Sequence, residues 1–287
     1  MLKYRLLFGT LMVAGFTGLL ILGAYFDGSI SEEIPNKGIQ GTILSLITLL
    51  MVVPAQFEIA DLAKNIGAVV FKPVTIIATA LFAGAWYFRQ FHPEPIKFHL
   101  YYTLSLSVFT LLALFLYKAR RFGTKGTIIN CSAGLFSVLY LGFLSSFIIA
   151  VRVEFGIWPL FMVIFVVKSS DIGAYTIGRL FGRHKFSPNI SPGKTWEGLI
   201  GAAVFAIIVA MLFAELADIM TWPQAVVFGA LFAYLGQLGD LAESMIKRDA
   251  QQKDSSSRVP GFGGVLDIID SPLVTAPLAY AFLKFIN

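Results

Sequence analysis

The sequence predicts an all-α polytopic integral membrane protein with about nine transmembrane helices and a cytoplasmic N-terminus. Three observations carry that prediction. Hydrophobic residues fill 57% of the 287 positions and charged residues only 14%, with a mean hydropathy of +0.77, outside the range of soluble domains. Apolar runs close to the roughly 20 residues needed to cross a bilayer recur along the chain. The lysines and arginines between those runs fall unevenly, as they do when short basic loops stay in the cytoplasm.

The first run, Leu6–Tyr25, follows Lys3 and Arg5 in the manner of a secretory signal. It exceeds a signal core of roughly 7–15 residues, lacks a small-x-small cleavage site and precedes further spans, so it is expected to be a retained anchor. Ile39–Gln56, Val69–Phe88, Phe98–Tyr117 and Thr127–Val151 complete a first region, residues 1–151, of about five helices. Phe155–Val167, Leu199–Ala214, Trp222–Gly239 and Pro272–Ile286 belong to a second, residues 152–287, and some of these are short for a span. With the N-terminus inside, alternate loops put 17 of the 22 basic residues on the cytoplasmic side and leave Lys37, Arg89, Lys97, Arg152 and Lys284 outside. Basic residues dispersed in this way face an anionic leaflet and argue against nucleic-acid binding. Cys131 is the only cysteine, which excludes an intramolecular disulfide and a cysteine metal cluster.

The two regions differ in kind. Spans up to Val151 carry almost no ionisable residue and read as scaffold, with surface for lipid or for a second copy of the chain in a homodimer. From Lys168 onward, polar groups gather at the cytoplasmic boundary, so chemistry is expected in residues 152–287. In "KSSDIGAY", Asp171 follows the apolar run "FMVIFVV" with only Lys168 nearby; a carboxylate at that depth needs a partner or a function. The loop "GRHKFSPNISPGKTWEG" offers Ser191, Lys194, Thr195 and Glu197 beside a helix start, which suits a phosphate or a plain N-cap. It lacks the glycine spacing of a Walker A loop.

The third cluster starts at "GQLGDLAESMIKRD". If the Trp222 helix continues, Asp240, Glu243 or Ser244, and Lys247 share one face. Pro260, Gly261, Gly263 and Gly264 then force an irregular backbone, and Asp267 and Asp270 stand about one turn apart at the last span. Acids from two helix ends at one boundary make a plausible cage for Mg²⁺, which binds through carboxylates, water and substrate phosphate.

These residues carry a resemblance. Ser244-x-x-Lys247-Arg248, four residues, Lys253-Asp254, then Pro260-Gly261-x-Gly263-Gly264-x-x-Asp267-x-x-Asp270 resembles the signature of the phosphatidate cytidylyltransferase (CDP-diacylglycerol synthase) family without insertion or deletion. "SPGKTWEG" and "SDIGAY" resemble upstream motifs of that family. Two positions depart from its usual pattern, Phe262 in place of His and Ile268 in place of Arg. The resemblance implies transfer of the cytidylyl group of CTP to phosphatidate at the cytoplasmic face of the cytoplasmic membrane, with Mg²⁺ as cofactor and a second cation left open. It implies Asp240, Lys247, Asp267 and Asp270 as catalytic residues, with Asp240 and Asp267 as metal ligands. Asp171, Ser191, Lys194, Thr195, Glu197, Ser244, Arg248, Lys253, Asp254 and Arg258 are expected to bind substrate or orient the acids. A secondary transporter fits less well, because its polar groups would pair across both halves near the midplane. A related enzyme acting on a different lipid phosphate stays open, as does an inactive family member in view of Phe262 and Ile268.

Overall fold

The computed structural model describes residues 2–31, 34–256, 258–259 and 263–286. Its helices are α1 (Leu2–Phe26), α2 (Thr42–Asn65), α3 (Lys72–Ala83), α4 (Ala85–Phe88), α5 (Pro95–Phe122), α6 (Thr127–Val138), α7 (Leu144–Phe155), α8 (Ile157–Phe181), α9 (Trp196–Ala217), α10 (Trp222–Asp249) and α11 (Leu266–Ile286). A π-helical turn, Leu139–Phe143, joins α6 to α7 in one continuous stretch. Among the described residues, eight stretches are long and apolar enough to cross a bilayer, so the chain is an integral membrane protein of all-α class. The ninth expected span, Val69–Phe88, is divided: α3 has only 12 residues and ends at Gly84, before the four residues of α4. Several helices outrun their apolar cores. The run ending at Gln56 extends as helix to Asn65, and the one ending at Gly239 extends to Asp249, because nothing in those polar turns breaks the i to i−4 ladder.

The chain divides into two compact units, Met1–Val153 with Asp249–Ile268, and Glu154–Arg248 with Ile269–Asn287. In the first unit, small residues let helices approach. Ala60 and Ala63 of α2 pack with Ala68 and Val70, while Ala78 and Phe82 of α3 pack with Val138 of α6. Gly142, in the π-helical turn, lies against the backbone of Thr79, where a Cβ would sit 2.8 Å from the carbonyl oxygen. A buried amide ties three helices: Gln56 Nε2 donates to Ser137 Oγ at 2.7 Å and Thr79 Oγ1 donates to Gln56 Oε1 at 3.1 Å. Arg152, only 2% exposed, donates to Asp27 Oδ2 (2.8 Å), Ser29 Oγ (2.7 Å) and Gln40 Oε1 (2.7 Å). Burying a guanidinium demands such an ionic and hydrogen-bonded cage.

The second unit is built on glycine contacts. A Cβ on Gly173 of α8 would stand 2.5 Å from the Gly201 carbonyl of α9, and one on Gly198 would stand 2.9 Å from the Ala174 carbonyl. The α8 and α9 backbones therefore touch, as small residues allow in membrane helix pairs. Along α10, Gly229 meets Ile207 of α9, Gly236 meets Val167 and Ser170 of α8, and Gly239 meets Ser271 and Val274 of α11. Phe228, Phe232 and Phe282 fill the layer beneath. The packing thus leads α8, α10 and α11 to a common level at Ser170, Gly239 and Ser271, where the charged residues begin.

Candidate active site

Continuation of α10 for 28 residues puts Asp240, Glu243, Ser244 and Lys247 on one face at i, i+3, i+4 and i+7. Asp270 of α11 joins them: one carboxylate oxygen each from Asp240, Glu243 and Asp270 lies within 4.8 Å of the others. Glu243 is fully buried and Asp270 only 5% exposed. Acids so close in an apolar setting require counter-charge. Lys247 supplies it to Glu243 one turn away. Lys194, from the α8–α9 loop, reaches Asp240 Oδ2 at 2.7 Å and donates to the Gln237 carbonyl at 2.9 Å. Ser244 Oγ stands 3.5 Å from Asp240 Oδ1. Asp171 is held by Lys168 at 3.6 Å and by Gln237 Nε2 at 3.1 Å. These pairs set three ammonium groups against four carboxylates. Oxygen donors at this spacing suit a hard divalent cation such as Mg²⁺.

The α8–α9 loop is shaped from its own sequence. Pro192 and Gly193 turn the chain so that the Lys194 amide donates to the Ser191 carbonyl at 3.1 Å. Lys185 and Thr195 then bridge, and Thr195 caps α9 by accepting from the Gly198 amide at 3.1 Å. Glu197 closes the loop base: it accepts from the amides of Arg183 and His184 and meets His184 Nδ1 at 2.6 Å. Arg248 Nε donates to the Ile190 carbonyl at 3.2 Å. Of the sequence-predicted residues here, Lys194 reaches the acid cluster, Thr195 and Glu197 engage their own loop, and Arg248 engages its outer part.

Asp267 belongs to the first unit. Its Oδ2 accepts from the Ser255 amide (3.1 Å), Ser255 Oγ (2.8 Å) and the Gly264 amide (2.7 Å). Gly263 has φ +96° and pairs with Val259 through two backbone hydrogen bonds, a conformation glycine adopts without strain. Lys253 and Asp254 are exposed and, with Asp61 and Asn65 of α2 and with Ser255 and Ser256, line a cavity of about 400 Å³. The amide of Arg258 donates to Ser256 Oγ at 3.3 Å. Ile268 sits in the first turn of α11; Pro260, Gly261 and Phe262 lie outside the described residues.

Three contributors to these constellations escaped the sequence reading as site residues. Glu243 was on the expected face but competed with Ser244 for the position. Gln237 is the amide that links Asp171 to the Lys194 end of α10. Glu58 of α2, 1% exposed, binds the motif loop from about 200 positions away. Its signal is an acid, followed by Asp61, in "VVPAQFEIADLAKN", hidden because the apolar run ends at Gln56.

Comparison with known proteins adds to this geometry. A family model described as "Cytidylyltransferase family" matches residues 3–286. The chain is similar to a phosphatidate cytidylyltransferase of Bacillus subtilis (strain 168), 32% identical over 189 residues that cover 64% of this chain and 69% of that protein. It is 39% identical over 136 residues to a phosphatidate cytidylyltransferase of Haemophilus influenzae, covering 46% of this chain and 47% of the relative. Phosphatidate cytidylyltransferase 4, chloroplastic, of Arabidopsis thaliana is 38% identical over 182 residues, 53% of this chain and 46% of that protein. The matched stretch thus spans about half the length of the latter two relatives.

Proposed function

This chain belongs to the cytidylyltransferase family, and from that premise we propose that it transfers the cytidylyl group of CTP to phosphatidate, giving CDP-diacylglycerol and pyrophosphate. The observation that supports this most is the meeting of Asp240, Glu243 and Asp270 with Lys194 and Lys247 at the end of two membrane helices. In the reaction, an oxygen of the lipid phosphate attacks the α-phosphorus of CTP. The bond from that phosphorus to the bridging oxygen breaks, and its electron pair leaves with pyrophosphate. The lipid phosphate is already anionic, so the main barrier is repulsion between two polyanions, which positioned cations lower.

Mg²⁺, when bound, would neutralise phosphate charge and help align attacking and leaving oxygens. Asp240, Asp270 and Glu243 offer it oxygens; Asp267, in the first unit, is proposed as a metal ligand on the motif resemblance alone, with a second cation as part of the same reading. Lys194 and Lys247 are poised to exchange carboxylate partners for phosphate, because an ammonium is a flexible point charge. Lys253, Arg248 and Arg258 are proposed to attract the triphosphate, Asp254 and Ser191 to bind substrate, and Asp171, Ser244, Thr195 and Glu197 to hold the cluster in shape. With α3 and α4 counted together as one crossing, as the nine-span count requires, positive-inside asymmetry supports an N-terminus and a site on the cytoplasmic side of the cytoplasmic membrane, where CTP comes from water and phosphatidate from the leaflet. The strongly exposed helices α1 and α5 are left to lipid and to a second copy of the chain.

Purified protein given Mg²⁺, phosphatidate and radiolabelled CTP should place label in a lipid, and chelation of the metal should stop it. A wild type that labels no phosphatidate under any condition where it remains folded would sink the proposal.

A further inference from the structure

The buried acid of α2 has no part in the reaction as described so far. Glu58 is 1% exposed, yet both of its oxygens are occupied. Oε1 accepts from Ser256 Oγ (2.7 Å) and the Val265 amide (3.1 Å). Oε2 accepts from Ser255 Oγ (2.9 Å) and the Leu266 amide (2.9 Å). The two amides lie at the start of α11, where a helix has donors without intrahelical partners. The two hydroxyls belong to the wall of the 400 Å³ cavity that also carries Lys253 and Asp254.

Ser255 faces a second carboxylate as well. Its single hydroxyl proton lies between Glu58 Oε2 at 2.9 Å and Asp267 Oδ2 at 2.8 Å, and its amide donates to the same Asp267 oxygen. The node is sealed by Gly264, where a Cβ would stand 1.9 Å from Ser255 Oγ and 2.4 Å from Glu58 Oε2. Such proximity leaves room for no side chain at Gly264. A displaced Glu58 would therefore release Ser255, Ser256 and the first turn of α11 together, and Asp267 would lose its fixed orientation.

We infer that Glu58 is a positioning residue: acting through Ser255, it fixes Asp267 and the cavity-lining serines of the motif loop for cytidylyl transfer. This rests on the proposed reaction. The requirement is for a carboxylate rather than for any polar group. Glutamine keeps one accepting oxygen and turns an NH₂ toward donors; the serine hydroxyl can rotate to accept, but the backbone N–H groups cannot.

The test compares wild type, Glu58→Gln, Ser255→Ala and the double variant in detergent or nanodiscs, by steady-state kinetics and by amide hydrogen exchange. Glu58→Gln should lower kcat about 10- to 100-fold, as loss of an outer-shell carboxylate partner does, and leave KM for phosphatidate within about threefold. Exchange should speed up by about tenfold or more at Ser255, Ser256 and residues 263–266 and stay unchanged in α8 and α9. The double variant should lose little more than the more severe single one, since both act through one node. An active wild type with Glu58→Gln unaltered in kcat and loop exchange would overturn the inference, as would additive losses with protection falling across the whole chain. An inactive wild type would overturn the reaction itself and this role with it, whatever the exchange at Ser255, Ser256 and residues 263–266.

Discussion

Two fully buried glutamates, Glu58 in one unit and Glu243 in the other, solve the same physical problem in opposite ways. Glu58 accepts from two hydroxyls and two backbone amides, while Glu243 is met by the ammonium of Lys247 and has Asp240 and Asp270 for neighbours. Neutral dipoles fixed in the backbone hold a charge by geometry, and they cannot leave. A lysine holds it by charge, and can be traded for another cation. The difference separates a site that keeps a loop in place from one proposed to exchange its lysines for metal or phosphate.

That contrast can be broken most severely at the acid cluster. Asp240→Asn or Asp270→Asn should cut label transfer from CTP to lipid by roughly 10²-fold or more, the scale of losing one charge-stabilising group in a closed site, while the protein still elutes as a folded species. Near-normal turnover in both would remove the cluster from catalysis. Next comes Lys247→Met, which leaves Glu243 buried beside two more acids. A loss of about 3–5 kcal/mol is expected, read as a lower melting midpoint in detergent, and Glu243→Gln in the same chain should recover part of it. If Lys247→Met melts like wild type, Glu243 is not held by charge.

Smaller effects sharpen the dipole side. Gly264→Ala must push Ser255 and Glu58 apart, for an expected loss of about 1–3 kcal/mol, typical of overpacking. Chemical denaturation should detect it, and an unchanged midpoint would show that the node yields. Thr195→Ala removes the N-cap of α9 and should weaken stability by about 1 kcal/mol, leaving KM for CTP nearly unmoved if Thr195 serves the helix; a large rise in KM would instead make it a substrate contact.

Which of these groups the sequence announces depends on how far apart their partners lie. Spans, their polar extensions and the α10 face follow local rules of hydropathy and 3.6-residue period, so Asp240, Ser244 and Lys247 could be aligned from spacing alone. Asp270 stood out as an acid at the edge of an apolar run. Division of Val69–Phe88 into α3 and α4 is not legible, because apart from Lys72 and two threonines the stretch is apolar and only Gly84 marks the break. Glu58 escaped for a different reason: its four donors lie 197 to 208 positions away, and no periodicity reports a partner so remote. The glycines of "SDIGAY" and "TWEGLIG" acquire a reason only in three dimensions, where Gly173, Gly198 and Gly201 let two backbones meet.

The cage around Arg152 has a consequence for how the chain is made. Asp27 precedes Arg152 by 125 residues, so ribosomes finish α1 through α6 before the guanidinium that pairs with that acid exists. Until then the end of α1 carries a carboxylate awaiting its cation, and α7 later arrives with a charge that lipid will not accept alone. The continuous α6–α7 stretch therefore meets its counter-charge only if α1 has stayed within reach, and a chain that loses Asp27 is expected to leave Arg152 without its ionic partner during assembly.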